Sequence, residues 1–191
     1  DTPAKAPESP TKTYPEQAKF EVECKYGDEA FSINFESKSG DTKNKDMNVV
    51  AKFKNGDAET EVPLKLAPAT YRAVDTSGPK SICAGVPAFQ IESTPQFLLV
   101  FKVDQKPPFP ETTLVLLDVA KKHVVNKLEH VGQLKTADVP KYQIIPAQNG
   151  FQMRLIRNLD KKSEDWKWII VKKGMLTAKW MSGGDKKSKA Y

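Results

Sequence analysis

The chain has 191 residues, of which 39% are hydrophobic and 28% are charged, and its 30 Lys and Arg against 24 Asp and Glu give a net charge of +6. This length is enough for a domain with its own core, and no run of about 18 apolar residues occurs, so we expect no transmembrane segment. The positive charge comes from 27 lysines and only 3 arginines. Because nucleic-acid recognition relies heavily on the planar guanidinium group, this composition argues against a nucleic-acid-binding function.

Both ends of the chain differ in composition from its middle. Residues 1–17 contain four prolines and no apolar periodicity, which predicts a disordered leader. Residues 182–191, SGGDKKSKAY, predict a flexible basic tail. Between them we expect a single all-β domain over residues 18–181, with two lobes at 18–92 and 96–181 as the alternative.

Cys24 and Cys83 are the only two cysteines. The chain begins without an initiator methionine, as a secreted protein does after removal of its signal peptide, and this favours an oxidising compartment. We therefore expect a periplasmic or extracellular protein in which the two cysteines form a disulfide, which would stabilise a loop of this length by about 4 kcal/mol. Two free cysteines in a reducing compartment are the alternative.

Alternating apolar and polar residues predict two β-hairpins at the start of the domain. The stretches 20–26 and 31–36 alternate on either side of a predicted turn at Gly27-Asp28. The second hairpin turns at Asn55-Gly56, a dipeptide suited to positive φ. Pro63 has no N–H to donate to a neighbouring strand, so its strand is predicted to lie at a sheet edge.

The connection from residue 67 to residue 95 is rich in Pro, Gly and Ser, with one short predicted strand at 81–84. Long ordered loops in compact β-domains frequently carry function. We therefore predict Tyr71, Arg72 and Phe89 as candidate binding residues. A plain connection between two sheets is the alternative.

The second half of the chain continues the β-pattern. Residues 96–103, QFLLVFKV, are apolar nearly throughout, which predicts a strand that is covered on both faces. Further strands are predicted from Thr112, from His123, in KYQIIP, in FQMRLIRN and in a final hairpin. About eleven short strands at a spacing of roughly ten residues, and no helix, predict an antiparallel β-sandwich or barrel.

The final hairpin, WKWIIVKKGMLTAKWM, contains all three tryptophans and has two possible registers. A three-residue turn at Lys172 to Gly174 would turn the tryptophans inward and place Lys167 opposite Lys179 on the outer face. A two-residue turn at Lys173-Gly174 would place Trp168 opposite Lys179, as an amphipathic strip for cation–π contacts or sugar stacking. The first register keeps lysine off the tryptophan face and is therefore favoured. In it, Lys167 and Lys179 are candidate contacts for an anionic partner.

Catalytic motifs are missing from the sequence. It contains no H-E-x-x-H, no G-x-S-x-G elbow, no phosphate-binding glycine loop and no dinucleotide fingerprint. His123 and His130 are seven residues apart, which places them on opposite faces of an uninterrupted strand. We therefore predict no metal and no cofactor. Asp75, Asp104 and Asp118 are candidate carboxylates for a glycan-active or hydrolytic enzyme, the competing functional class.

The segment CKYGDEAFSINF, residues 24–35, resembles the first hairpin of the small periplasmic inhibitors of c-type lysozyme. The shared features are a strand cysteine, a glycine turn and an alternating second strand, over twelve residues. Those inhibitors insert a serine-glycine-aromatic-basic loop into the enzyme, whereas here Tyr71-Arg72 precedes Ser77-Gly78, and the positive charge of the chain would oppose a basic lysozyme. The resemblance implies lysozyme inhibition as a minor alternative.

Taken together, these patterns predict an exported, non-enzymatic β-domain. Its expected partner is a protein or an anionic polymer of the cell envelope, because weak attraction to such a polymer needs little more than positive surface charge.

Overall fold

The structure is a computed structural model that describes residues 19–38, 47–67, 69–72, 82–104, 112–129, 131–132, 144–147, 150–158 and 163–180. These ranges contain thirteen strands in three antiparallel sheets and no helix, so the predicted all-β antiparallel fold is confirmed. No helix in this part of the chain is long and apolar enough to cross a membrane. The predicted leader and basic tail lie outside the described residues.

Sheet A is a four-stranded meander with the order β1-β2-β3-β4, formed by β1 (Lys19–Tyr26), β2 (Glu29–Ser37), β3 (Met47–Asn55) and β4 (Ala58–Pro63). Sheet B has the order β5-β7-β8-β9, with β6 also paired to β7, and consists of β5 (Thr70–Arg72), β6 (Ala88–Gln90), β7 (Gln96–Asp104), β8 (Thr112–Asp118) and β9 (His123–Leu128). Sheet C has the order β10-β11-β12-β13, from β10 (Ile144–Ala147), β11 (Gly150–Asn158), β12 (Ser163–Lys172) and β13 (Met175–Trp180). Sheet B contains strands from before residue 92 and after residue 96, and the division into one domain or two lobes stays a prediction.

Sheet B lies between the other two sheets because β7 and β8 are apolar on both faces. Every residue of β8 is buried, and the residues of β7 from Phe97 to Phe101 are at most 5% exposed. Phe97 and Leu99 belong to a cluster shared with sheet A, whereas Leu98 and Val100 belong to a cluster shared with sheet C. Successive strand residues point to opposite faces, so one strand serves two cores. The prediction of a strand covered on both faces is confirmed.

The core between sheets A and B follows the predicted alternation of the first hairpin. Val22 pairs with Ile33 and Phe20 with Phe35, around a turn at Gly27-Asp28, as predicted. The Phe20 and Phe35 rings stack with their centroids 4.2 Å apart. The inward face of sheet A is therefore an aromatic and aliphatic surface, and it packs against Phe97, Leu99 and Phe101 of β7.

The second hairpin differs from its prediction by one residue. Asn55 pairs with Ala58, so the turn consists of Gly56-Asp57 rather than Asn55-Gly56, and Gly56 has a φ of 59°. The strand that follows ends at Pro63 and is an edge strand of sheet A, as predicted from the missing N–H of proline.

The Cys24–Cys83 disulfide is present, which confirms the predicted pairing. Cys83 forms a one-residue bridge with Cys24: the Lys25 N–H donates to the Ile82 carbonyl at 2.8 Å, and the Ala84 N–H donates to the Glu23 carbonyl at 2.9 Å. The predicted strand at 81–84 is therefore only an isolated bridge. It covers part of β1, the other edge strand of sheet A, and fastens the connection between β5 and β6 to it.

The disulfide is expected to contribute to stability because it closes a loop between residues 59 positions apart and both sulfurs lie in the core. Replacing both cysteines by alanine should lower the free energy of unfolding by about 2–4 kcal/mol. Urea unfolding followed by tryptophan fluorescence measures this loss, and adding a reductant should have the same effect on the wild type but none on the double variant. An unchanged midpoint in reductant would contradict the pairing.

Gly150, at the start of β11, is required because the backbone of β12 lies very close to it. It has a φ of 153°, and a Cβ placed there would overlap the carbonyl oxygen of Ile169. Gly150→Ala should therefore destabilise the protein by roughly 2–4 kcal/mol. Gly56→Ala is the matched control: Gly56 also has positive φ but nothing lies within 4 Å of its added Cβ, so the loss should be only about 1–2 kcal/mol. Equal melting temperatures for the two variants would contradict the close approach of Gly150 to the Ile169 carbonyl.

Candidate functional site

The β12–β13 hairpin has a two-residue turn at Lys173-Gly174, so the favoured register of the sequence analysis is wrong. Trp168 pairs with Lys179, and Lys167 pairs with Trp180. The φ angles of the two turn residues are 50° and 74°. Positive φ at both central positions is the mark of the type I′ turn, whose twist matches that of the flanking strands. The turn and the flanking strands are therefore compatible, and this register places Lys167 on the inner face.

Four aliphatic residues determine which face of this hairpin points inward. Ile169 is fully buried and Leu176 is 6% exposed, and both belong to the cluster with sheet B, against which Val171 and Ala178 also pack. The hairpin turn is held to sheet B as well, because the Asn126 side chain donates to the Gly174 carbonyl at 3.2 Å. The sequence analysis gave the tryptophans this role, but of the two whose side chains the structure describes, Trp180 packs against the cluster and Trp168 lies on the opposite face.

Lys167 lies on the inner face, at the edge of this cluster. Its Nζ donates to the Val131 carbonyl at 2.6 Å and lies 5.0 Å from the centroid of the Trp180 ring. Partial burial lowers the pKa of Lys167, because desolvation disfavours the charged form. The aliphatic stem can cover apolar surface while the ammonium keeps a carbonyl and an indole face as partners. Lys167 and Lys179 are on opposite faces, so the predicted facing pair of lysines is wrong.

The opposite face of the hairpin carries what we call the outer strip, three cross-strand pairs that point away from the core: Trp168 with Lys179, Ile170 with Thr177, and Lys172 with Met175. Lys172, Thr177 and Lys179 are exposed, and Met175, at 63%, is the one large apolar side chain that is exposed among the described residues. Trp168 is half-buried, and its Nε1 is covered without a hydrogen-bond acceptor. The strip thus combines an aromatic ring, two further apolar side chains, a hydroxyl and two ammonium groups.

The other candidate binding residues do not come together on one surface. Tyr71 is 2% exposed, its hydroxyl donates to the Ala67 carbonyl at 2.7 Å, and burial raises its pKa. It is therefore a core residue between sheets A and B. Phe89 is half-buried on the other side of sheet B, with its ring 5.4 Å from that of Phe151. Arg72 pairs through its backbone with Lys102, and its side chain lies outside the described part of the structure.

A polar junction near Tyr71 was not predicted from the sequence. The Glu129 carboxylate accepts from the Ala67 N–H at 2.9 Å and from the Lys127 ammonium at 3.1 Å. Lys127 also donates to the carbonyl of Lys65, a residue with a φ of 49°. These contacts connect the segment after β4 to the end of β9, so the junction holds sheets A and B together. No short-range sequence signal links positions that are 62 residues apart.

The candidate carboxylates are separated as well. Asp118 is 2% exposed and accepts from the Lys121 N–H at 2.9 Å and from the Gln96 side chain at 3.5 Å, so it closes the β8–β9 turn. Asp75 and the side chain of Asp104 lie outside the described residues, as does His130. Within the ranges that the structure describes, no three His, Cys, Asp or Glu residues are placed to hold a metal ion.

Comparisons with known protein families, curated protein sequences and solved structures found no match to this chain. Lysozyme inhibition therefore stays an expectation from the twelve-residue hairpin. The outer strip is the candidate site because, within the described ranges, it places the half-buried ring of Trp168 beside an exposed lysine that is in no ion pair.

The two tryptophan–lysine pairs of the hairpin should behave differently in a double-mutant cycle. Lys167 and Trp180 form a cation–π contact, so Lys167→Gln and Trp180→Leu should be coupled by about 0.5–1 kcal/mol in the free energy of unfolding. Lys179→Gln and Trp168→Leu are the matched control pair: these residues are also directly opposite but have no such contact, so their coupling should be near zero. Urea denaturation of the variants measures both values. Coupling that is larger for Lys179 and Trp168 would contradict the inward position of Lys167.

Proposed function

We propose that this protein is an exported, non-enzymatic β-domain that binds an anionic polymer of the cell envelope through the outer strip. The observation that carries the proposal is the register of the β12–β13 hairpin, which sets Trp168 directly beside Lys179 on the face turned away from the core. An apolar platform next to a cation suits a ligand that is both cyclic and negatively charged.

The charge of the hairpin supports an anionic ligand. Residues 167–180, the part of the hairpin in which β12 and β13 are paired, contain four lysines and no acidic residue, and Glu164 and Asp165 lie before this part. Lys172 and Lys179 take part in none of the ion pairs found among the described residues. Sheet A differs in this respect, since its Lys52 contacts both Glu59 and Glu61. The positive charge on the outer strip is therefore available to a partner, whereas that of Lys52 is already neutralised.

The shape of the strip supports a polymer. Its three cross-strand pairs continue one another along two strands, so the surface is elongated. Ile170 in the middle pair and Met175 in the pair beside the turn add apolar surface. Indole rings bind ligands over a flat face at low cost in side-chain entropy, since only two torsions must be fixed. Lysine contributes a compact charge that does not require one orientation of the ligand.

Export is supported by the disulfide. Disulfides form and persist in oxidising compartments and are rare where thiols are kept reduced. Cys24 and Cys83 join a loop to an edge strand and lie inside the core, which is the place of a structural disulfide. We therefore assign the protein to the periplasm or the extracellular space as part of the proposal.

The proposal is tested with two double variants that remove equal charge from different sheets. Lys172→Gln with Lys179→Gln should weaken binding to an immobilised anionic polymer about ten- to thirtyfold, because a lysine at an anionic surface contributes about 1 kcal/mol. Binding of the full chain to purified anionic envelope polysaccharide at low salt, measured by biolayer interferometry, gives the affinities.

The control variant is Lys25→Gln with Lys54→Gln, two exposed lysines of sheet A. It should bind within about twofold of the wild type, and added salt should weaken binding of every protein because the attraction is between solvated charges. Equal losses of affinity in the two double variants would mean that binding depends only on the net charge of the protein, and the outer strip would then not be the binding site. No binding by the wild type at low salt would remove the function.

A further inference from the structure

We infer that the unit recognised by the outer strip is a pyranose ring that carries a carboxylate, as in a uronate residue of an acidic glycan. This inference rests on the proposed function and specifies its ligand. It follows from three features of the strip: the spacing of Trp168 and Lys179, the position of Lys172, and the unsatisfied indole N–H.

The first feature is that Trp168 and Lys179 are directly opposite each other. Opposed residues of an antiparallel pair have their Cβ atoms about 4.5–5.5 Å apart, so the indole face and the ammonium can reach two neighbouring parts of one small ligand. In a uronate the carboxylate is attached directly to the sugar ring. A ring stacked on Trp168 therefore brings its own carboxylate within reach of Lys179.

The second feature is a further lysine along the same face. Lys172 is four residues after Trp168 on β12, a separation of about 13 Å along an extended strand. That length exceeds a single sugar ring, so Lys172 would contact a carboxylate on a later unit of the same chain. Between the two lysines lie Ile170 and Thr177, which are paired with each other and offer an apolar surface and a hydroxyl. An oligomer should consequently bind more tightly than a monosaccharide.

The third feature is the Trp168 N–H, which is covered and has no acceptor. A buried donor without a partner is unfavourable, and most such groups in proteins are satisfied by an acceptor or by water. The hydroxyl and carboxylate oxygens of a uronate are acceptors, and a turn of the indole toward a stacked sugar would give the N–H a partner. The fluorescence of the protein should therefore change when such a ligand binds.

These features favour a carboxylated sugar over an anion without a ring. A linear polyphosphate or an acidic polypeptide would use the lysines but leave the indole face uncovered. A neutral sugar would use the indole face but leave both lysines without a counter-charge. Of these four ligands, the cyclic carboxylate is the one that uses the opposed pair as a unit.

The experiment compares three probes on the full chain at low salt by isothermal titration calorimetry: an oligogalacturonate, its methyl ester and polyglutamate. The oligogalacturonate should bind at least about tenfold more tightly than either of the others, which lack the charge or the ring. Lys179→Gln should reduce the preference for the acid over the ester about fivefold or more. Trp168→Ala should weaken binding of both sugars, whereas Trp168→Phe, which keeps an aromatic face, should retain most of it.

The outcomes separate this inference from the proposed function. Polyglutamate binding as tightly as oligogalacturonate would overturn the sugar assignment and leave the anionic-polymer function in place. Equal affinity for the oligogalacturonate and its methyl ester would overturn the inference that the ligand is recognised by its carboxylate. Failure of all three probes, together with the envelope polysaccharide, would remove the proposed function as well. Circular dichroism and thermal melting of each variant show whether a lost affinity reflects lost folding, and Trp168→Phe decides the case if Trp168→Ala does not fold.

Discussion

The fold depends on the burial of β7 and β8 on both faces. A strand that is apolar on one face needs one covering layer, whereas these two strands need two. Sheet A covers the face of Phe97 and Leu99, and sheet C covers the face of Leu98 and Val100. Complete burial of a large aliphatic or aromatic side chain contributes roughly 1.5–3 kcal/mol, so leaving either face of sheet B open would forfeit much of the stability of a domain this size.

This requirement also explains why the outer strip is exposed. Sheet C has to present an aliphatic face to sheet B, and Ile169 and Leu176 meet that need. Alternation along the strands then places their neighbours, among them Trp168 and Lys179, on the far side. No described strand covers that side, because sheet C is the last layer. The candidate site is thus a consequence of how the core is filled. Trp168 is not needed between sheets B and C, so it can contact a ligand.

The sequence predicted those features that depend on neighbouring residues. The first hairpin has one apolar face and one turn dipeptide, so only one register satisfies both, and the pairing of Val22 with Ile33 follows. Pro63 predicts an edge strand because it has no N–H to donate to a neighbouring strand, and this holds whatever the rest of the fold is. The pairing of Cys24 with Cys83 needed no information on distant contacts, because the chain has only two cysteines.

Features that depend on distant contacts were not predictable in this way. In the β12–β13 hairpin both faces carry large apolar residues, and both Lys172 to Gly174 and Lys173-Gly174 are acceptable turns, so local pattern alone does not choose the register. The choice is made by the space that sheet B leaves, and by the Val131 carbonyl and the Trp180 ring that accommodate Lys167. The burial of Tyr71 was missed for the same reason: a three-residue strand shows no periodicity, and the ring is covered by residues distant in sequence, among them Phe101 on the neighbouring strand, with ring centroids 6.3 Å apart.

The account is tested most directly by the cross-strand contacts of the β12–β13 hairpin in solution. In an antiparallel pair the Hα atoms of alternate residue pairs lie close together and give strong nuclear Overhauser effects. The two-residue turn predicts such effects between Ile169 and Ala178 and between Val171 and Leu176, the pairs that turn Trp168 and Lys179 outward. Effects between Ile170 and Leu176, or between Trp168 and Ala178, would show the other register and return the tryptophans to the core, which would contradict the proposed site.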